Sequence, residues 1–261
     1  LLRDTHASPA SLAGRCTCSL DLISLTRKDD HVPISAILFD KDGTLFDFQL
    51  TWGAWATAAL AELSGGDDVL LAAMADMLGY DTSTRKFRPD SFVIAGTSGE
   101  IADALASLLP GRTRDEILIE VDRLAASVIP VEAVPLDPFL TKLRALGYPL
   151  GIATNDSEAV ALSNLDHCQI RHHFDFVVGA DSGHGGKPGP GMLTAFARHT
   201  GLPATEIAMV GDSLHDLKAG RAVGMVNVAV LTGVATEAEL APFADHVLPD
   251  VGHLPEVLGG L

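Results

Sequence analysis

Short apolar runs alternate with amphipathic segments along most of the chain. Residues 34–39 are nearly all hydrophobic, which predicts a strand buried on both faces. Such strands belong to parallel sheets that are covered by helices. The other apolar runs that predict strands are residues 149–154, 174–179, 207–212, 225–231 and 245–248.

Helical periodicity fills the intervals between most of these runs. Strands that alternate with single helices predict an α/β fold with right-handed crossovers and a doubly wound, Rossmann-like parallel sheet. The helices expected in these intervals are residues 137–146, 157–167, 190–200 and 214–223, with a short one near 236–241.

The interval after the first predicted strand is different, because about 80 residues of mainly helical pattern fill it. That is more than an ordinary crossover needs, so we expect an inserted all-helical domain over residues 49–131. Residues 33–48 and 132–261 would then form the Rossmann-like core, and residues 1–32 a poorly structured extension. The helices predicted in the insertion are residues 51–64, 67–79, 98–109 and 113–128.

Composition limits the class of protein. The 261 residues are 47% hydrophobic and 20% charged, which is typical of a globular chain and not of a disordered one. No apolar run approaches the ~20 residues that cross a membrane, so we expect no membrane partner. The net charge of −16 argues against nucleic acid as a partner. Any anionic substrate must be attracted by a local cluster of positive charge.

The chain has three cysteines, Cys16, Cys18 and Cys168. This small, odd number suits a reducing compartment, and we expect a cytoplasmic protein with free thiols. A second group resembles zinc ligands but lies at a helix end and its exit loop, away from the predicted sheet edge, so we do not favour a zinc site. Its members are His167, Cys168, His172 and His173.

Polar residues follow four of the predicted strands. Because the carboxyl ends of parallel strands meet at one edge of a sheet, these residues should share one crevice. Gly43 allows a tight turn directly after the first strand. The residues in question are Asp40 and Asp42, then Thr154, Asn155 and Asp156, then Lys187, and finally Gly211, Asp212 and Asp216.

Other interpretations of single motifs are less consistent with the sequence. Asp-x-Asp-Gly alone also suits an Asx turn. A calcium loop of the EF-hand type fails, because its glycine would come too early and its twelfth residue would be Thr51. A P-loop ending at Gly186-Lys187 fails because Asp181 and Pro188 replace its glycine and its hydroxyl residue.

Phosphoryl transfer with Mg²⁺ accounts for the whole set. Mg²⁺ prefers oxygen ligands and is usually bound by one or two carboxylates together with substrate phosphate. A lysine suits phosphate oxygens. One carboxylate can attack phosphorus, and a second, Asp42, can protonate the leaving alkoxide and then deprotonate water.

These residues resemble the four motifs of the haloacid dehalogenase-like hydrolases, in order. The matching segments are Asp40-Lys-Asp-Gly-Thr-Leu45, Thr154, Lys187-Pro188 and Gly211-Asp-Ser-Leu-His-Asp216. The chain is most similar to the phosphoglycolate-phosphatase-type branch, in which a helical cap lies between the first and second motifs. The resemblance covers residues 34 to about 250 and implies that residues 49–131 are the cap.

The resemblance also implies a role for each matching residue. Asp40 would be the nucleophile and a Mg²⁺ ligand, and Asp42 the general acid and base, with its carbonyl oxygen on the metal. Thr154 and the Asn155 amide would bind the phosphoryl group, and Lys187 would neutralise it. The supporting residues are Asp212 as a metal ligand, Asp216 beside the metal or Lys187, and Gly43 and Gly211 in the turns.

The resemblance implies that the substrate is a phosphate ester, because dehalogenases and phosphonate hydrolases lack an acid at the position of Asp42. The branch that the chain resembles implies a small ester, similar to phosphoglycolate. Two alternatives stay open at this point. A sugar phosphomutase shares all four motifs, and a non-catalytic module that binds phosphorylated ligands could use the same fold.

Several residues near the motifs have more than one interpretation. Arg85, Lys86 and Arg88 suit a solvated loop, but could instead hold an anionic leaving group. Asp156 is expected to cap the helix that begins at Ser157. We expect the remaining side chains to pack beside the site or to be exposed: Trp52, Trp55 and His215.

Overall fold

The centre of the computed structural model, which describes residues 33–258, is a six-stranded sheet with the order β5-β4-β1-β6-β7-β8. Every neighbouring pair of its strands is parallel. This confirms the predicted α/β fold with a doubly wound parallel sheet. The strands are β1 Ala36–Phe39, β4 Leu150–Ala153, β5 Phe176–Val178, β6 Ile207–Gly211, β7 Val226–Val230 and β8 His246–Leu248.

Helices cover both faces of this sheet, which explains why β1 has no polar residue. Ile37 and Phe39 pack into the apolar cluster on one face, whereas Ala36 and Leu38 pack into the cluster on the other. Successive side chains of a strand point to opposite faces, so a continuous apolar run is required here. The helices are α5 Leu136–Ala145, α6 Glu158–His167, α7 Gly191–Thr200, α8 Leu214–Val223 and α9 Glu237–Leu240.

The chain between β1 and α5 contains α1 Phe48–Ser64, α2 Asp68–Met77, α3 Ser98–Ala106 and α4 Arg114–Ser127. These helices share an apolar cluster of their own around Trp55. The insertion is therefore helical as predicted, but it also contains an antiparallel pair of short strands, β2 Tyr80–Asp81 and β3 Lys86–Phe87. Strands of two residues are too short to show an alternating pattern in the sequence. The domain boundaries at residues 49 and 131 stay predictions.

The first helix begins at Phe48, earlier than the predicted residue 51, because Asp47 is its N-cap. The Asp47 side chain accepts a hydrogen bond from the Leu50 N–H at 2.9 Å. Most other predicted strands and helices begin and end within one or two residues of the observed ones.

The prediction for residues 1–32, with Cys16 and Cys18, lies outside the described residues. Across residues 33–258, no helix is both long enough and apolar enough to cross a membrane.

Candidate active site

The carboxyl end of β1 places two carboxylates at the sheet edge. Asp40 continues the strand, because its N–H donates to the Val210 carbonyl of β6 at 2.8 Å. Gly43 then takes φ +83° and returns the chain, and its N–H donates to the Phe46 carbonyl at 2.7 Å. A positive φ of this kind favours glycine. The loops after β4, β5 and β6 complete one cleft, which is lined by Asp40, Asp42, Thr154, Asn155, Lys187, Asp212 and Asp216.

Lys187 lies between two of these carboxylates. Its buried Nζ forms ion pairs with Asp40 Oδ1 and, at 2.6 Å, with Asp216 Oδ1. Burial alone would lower the pKa of Lys187, but Asp216 and Asp40 together raise it above its usual value. The ammonium therefore stays charged beside Asp40.

Asn155 fixes the backbone of Lys187. Asn155 Oδ1 accepts from the Lys187 N–H at 2.8 Å, and Asn155 Nδ2 donates to the Lys187 carbonyl at 3.0 Å and to the Ala95 carbonyl at 2.8 Å. These bonds occupy the Asn155 side chain. Its backbone N–H takes no part in these bonds.

The carboxylates of Asp40, Asp212 and Asp216 each offer an oxygen within 4.8 Å of the others. Burial raises the pKa of Asp40 to about 7, and Asp216 and Asp42 oppose the lowering effect of Lys187. Burial and the neighbouring Asp40 and Asp216 raise the pKa of Asp212 well above its usual value. The negative charge of these three carboxylates thus exceeds the positive charge that the protein places beside them.

The surroundings of Asp212 leave no space for a side chain at the two glycines beside it. Thr44 Oγ1 donates to Asp212 Oδ1 at 3.2 Å. A Cβ at Gly43 would lie 2.3 Å from Asp212 Oδ2, and a Cβ at Gly233 would lie 1.7 Å from it. Oxygen donors, excess negative charge and glycine neighbours fit a small hard cation such as Mg²⁺.

Both carboxylate oxygens of Asp216 already have partners within the protein. Its Oδ2 accepts from Ser213 N at 3.1 Å and from Ser213 Oγ at 2.6 Å, which forms the N-terminal capping box of α8. Its Oδ1 pairs with Lys187. Of the two roles predicted for Asp216, this geometry favours support of Lys187. Gly211 is required beside it, because a Cβ there would lie 2.4 Å from Asp216 Cβ.

A network around Lys41 was missed by the sequence analysis. Lys41 is fully buried, and its Nζ pairs with Asp42 Oδ2 at 2.7 Å and with Asp156 Oδ2 at 2.8 Å. It also donates to Asn164 Oδ1 at 2.9 Å, and the Trp52 ring centroid lies 5.3 Å away. Alternation along the chain places Lys41 opposite Asp40 and Asp42, but nothing in the sequence shows its partners.

The prediction that Asp156 caps α6 is wrong. Ser157 is the N-cap, and its side chain accepts from the Val160 N–H. Asp156 instead pairs with Lys41. Burial and Asp42 raise the pKa of Asp156 to about 7, although Lys41 lowers it.

A family model described as haloacid dehalogenase-like hydrolase matches residues 34–224, well over half of the chain. The chain belongs to this family. A phosphoglycolate phosphatase of Neisseria meningitidis is 34% identical over 124 residues, which cover 47% of this chain and 52% of the relative. The match thus spans about half of that relative's length.

Solved structures show the same fold. A HAD phosphatase from Thermococcus onnurineus aligns over 87% of this chain and 98% of its own, with a TM-score of 0.62 and 24% identity. A β-phosphoglucomutase from Clostridium difficile aligns over 85% and 93%, with a TM-score of 0.60 and 16% identity. At these identities the likeness shows the fold alone.

The predicted leaving-group contacts Arg85, Lys86 and Arg88 do not line the cleft. Arg85 and Lys86 border a separate groove beside α1, and Arg88 pairs with Asp76 at 3.1 Å on the exposed surface. The structure therefore does not place them where they could hold a leaving group, and the solvated-loop interpretation fits them better.

Side chains of the insertion form the wall of the cleft that faces the carboxylates. Trp52 belongs to this wall and is 6% exposed. Trp55 is buried in the insertion and packs edge-on against Trp52. His215 borders the cleft and is partly buried, and burial lowers its pKa.

The four residues considered for zinc do not converge in the structure. Among residues 33–258, the second group of side chains close enough to hold a metal consists of Asp137, His172 and His173, without His167 or Cys168. His173 Nε2 lies 2.9 Å from Asp137 Oδ1, which gives the ring an ordinary partner.

Proposed function

We propose that this protein hydrolyses phosphate monoesters with the help of Mg²⁺ and forms an aspartyl-phosphate intermediate on Asp40. One observation carries the proposal. Asp40 and Asp42 both follow the carboxyl end of β1. Asp40 pairs with the buried Lys187, and Asp42 pairs with the buried Lys41. The pair thus consists of two carboxylates in different surroundings, as a nucleophile and a proton-transfer group require.

Asp40 is the group that attacks phosphorus. Lys187 orients it and, once an ester binds, balances the charge of the phosphoryl oxygens. Thr154 Oγ1 accepts from the Asp156 N–H at 3.2 Å, so its own O–H is left to donate. We assign that O–H and the Asn155 backbone N–H to the phosphoryl group.

Asp42 is the group that moves the proton. Lys41 holds its Oδ2, while its Oδ1 is buried and has no hydrogen-bond partner among the described residues. That oxygen is therefore left to protonate the departing alkoxide. It can then take a proton from the water that hydrolyses the aspartyl-phosphate.

Asp40, Asp212 and the Asp42 carbonyl would hold the Mg²⁺, which when bound neutralises charge on the phosphoryl group. We propose that residues 49–131 act as the cap and exclude water from the cleft during the reaction.

The relatives' names include phosphoglycolate, which favours a small phosphorylated metabolite as substrate. A sugar phosphomutase would use the same residues, but no contact in the cleft favours it over hydrolysis. A binding module has no need of a second acid beside Asp40.

Phosphate release from a panel of phosphate monoesters, with Mg²⁺ and with a chelator, tests the proposal. We expect release that depends on the metal and that Asp40→Asn abolishes. Retained activity in Asp40→Asn would overturn the assignment of the nucleophile. Isomerisation of a sugar phosphate without release would identify a mutase, and neither reaction with folded protein would identify a binding module.

A further inference from the structure

The wall that faces the carboxylates is apolar. It is built by the start of α1, by the turn that precedes α3, and by α3 itself. Trp52, Val93 and Ile101 are each 6% exposed, and Ile94 is partly exposed. The leaving group of an ester attacked at Asp40 must lie between the phosphoryl site and this wall. The side chains and glycine of the wall are Phe48, Trp52, Val93, Ile94, Ala95, Gly96 and Ile101.

This cleft has no spare cation for the leaving group. Within residues 33–258, Lys187 is the one lysine or arginine that lines it, and it is buried and paired with Asp40 and Asp216. Lys41 is fully buried and pairs with Asp42 and Asp156, whose side chains line the cleft. His215 borders the cleft, but burial disfavours its charged form. A carboxylate on the leaving group would thus find no cation to pair with, and it would lie near the carboxylates of Asp42 and Asp156.

The N-terminus of α3 at this wall also disfavours an anion. Its first N–H groups could in principle bind one. The capping box uses two of these groups internally, because Glu100 Oε2 accepts from the Thr97 N–H at 2.8 Å and the Glu100 N–H donates to Thr97 Oγ1 at 3.2 Å. The negative charge of Glu100 already occupies this position.

The wall is tied to the phosphoryl site. Asn155 Nδ2 donates at 2.8 Å to the Ala95 carbonyl in the wall, while the same side chain holds the Lys187 backbone. The apolar surface is thus fixed relative to the group that binds phosphate. A substrate's leaving group has to match it.

We propose that the site selects phosphate monoesters whose leaving group is uncharged and partly apolar, and discriminates against leaving groups that carry a carboxylate or a second phosphate. This inference rests on the proposed phosphatase function and narrows the class of its substrates. An unpaired anion against an apolar wall loses its hydration without gaining a partner, and like charges across an interface oppose binding. The substrate would then differ from phosphoglycolate.

The test compares matched esters on the wild-type enzyme with Mg²⁺: n-propyl phosphate, glycolamide phosphate and 2-phosphoglycolate. The last two differ in one group, a carboxamide in place of a carboxylate. We expect kcat/KM to be at least about tenfold higher for each neutral ester than for phosphoglycolate. A kcat/KM for phosphoglycolate equal to or above the neutral esters would overturn the inference.

A variant with a new cation tests the physical cause. Ile94→Lys places an ammonium in the wall, and we expect the ratio of phosphoglycolate to propyl phosphate turnover to rise by about tenfold. Ile94→Met is the matched control for side-chain length. Ile119→Lys, at a site on α4 that is 68% exposed, controls for net charge. The same rise in Ile119→Lys would show that the effect is global and would contradict the role of the wall.

The failure of this inference can be distinguished from failure of the proposed function. If no ester releases phosphate with Mg²⁺, the phosphatase function itself is wrong. If phosphoglycolate is preferred, the function stands and the inference about the leaving group is wrong.

Discussion

The ammonium group of Lys41 contacts oxygen acceptors from three parts of the chain. Asp42 follows β1, Asp156 follows β4, and Asn164 lies on α6. An ammonium has three N–H donors, and here each has an acceptor. Burial would lower the pKa of Lys41, but Asp156 and Asp42 raise it above its usual value. The charge of this residue is therefore part of the folded structure.

Lys41→Met should lower the free energy of unfolding by about 3–5 kcal/mol, because it leaves two carboxylates without their cation. Adding Asp156→Asn should restore part of this loss, since one of the uncompensated charges disappears. Urea unfolding at pH 7 measures both. Lys142→Met, on the exposed surface of α5, is the control and should change the value by less than about 0.5 kcal/mol. Equal losses in the single and double variants would show that charge is not the cause.

Asp42→Asn should slow the hydrolysis of an alkyl phosphate by about 10²–10⁴-fold, because an amide cannot protonate the alkoxide. The loss should be smaller for an aryl phosphate, whose leaving group needs less protonation. Single-turnover measurements of the first step show the difference, with metal content as a control. The same loss for both esters would contradict the role of Asp42 as acid.

At the scale of elements, the start of α8 serves two purposes. The box formed by Ser213 and Asp216 closes the helix N-terminus, and the same carboxylate holds Lys187. Helix α4 begins with a similar box, formed by Thr113 and Glu116, outside the cleft. The two helices therefore provide a matched pair, one cap at the site and one away from it.

Ser213→Ala and Thr113→Ala should each cost about 1 kcal/mol of stability, because each removes a side chain that caps a helix. Only Ser213→Ala should also reduce kcat, since it frees Asp216 to move away from Lys187. Thermal unfolding and steady-state kinetics on both variants separate the two effects. A similar loss of kcat in Thr113→Ala would assign the effect to stability alone.

The elements that could be predicted from the sequence are those with a local signature. Apolar runs predicted the strands correctly, because both faces of the sheet are buried. The polar residues after the strands predicted one shared cleft, because the carboxyl ends of parallel strands lie at the same edge of the sheet. Lys41 was missed because its partner Asn164 lies 123 residues away. Asp156 was assigned to the helix next to it for the same reason, since only local partners are visible in a sequence.

The cations at residues 85–88 show another limit. A net charge of −16 suggested that an anionic substrate needs local positive charge, and Arg85, Lys86 and Arg88 form a cluster of cations within the predicted cap. The path of the loop through β2 and β3 instead turns them to the outer surface and a separate groove. No periodic pattern specifies such a path.

At the scale of the whole molecule, the cleft contains more negative than positive charge. Two lysines, Lys41 and Lys187, face the five carboxylates Asp40, Asp42, Asp156, Asp212 and Asp216. Keeping unpaired carboxylates ionised at a buried position costs folding free energy. A bound cation would remove part of that cost.

Without metal, the free energy of unfolding should fall as pH rises from about 4 to about 8. The folded-state pKa values of Asp40 and Asp156 are about 7, and that of Asp212 is also raised. The folded protein therefore binds more protons than the unfolded chain across this range, so deprotonation favours unfolding. Denaturant unfolding in a chelator measures the slope, and a rise in stability with pH would contradict it.

Mg²⁺ at about 100 times its dissociation constant should add about 2.7 kcal/mol at pH 8. Asp212→Asn should make the metal-free slope shallower and remove most of the gain from Mg²⁺, because it deletes one of the buried charges and a ligand. The same titration with the variant checks this. A gain that persists in Asp212→Asn would place the metal elsewhere.

Two amide side chains, one after β4 and one on α6, join the insertion to the rest of the described chain through backbone atoms. Asn155 donates to the Ala95 carbonyl, and Asn164 donates to the Ala125 and Val128 carbonyls at 3.3 Å. Every residue type has a backbone carbonyl, so these contacts do not depend on which side chains the insertion presents. The wall can therefore exchange side chains through mutation while its alignment with the reactive groups is kept. A protein with this arrangement can acquire new substrates over evolution without rebuilding its catalytic residues.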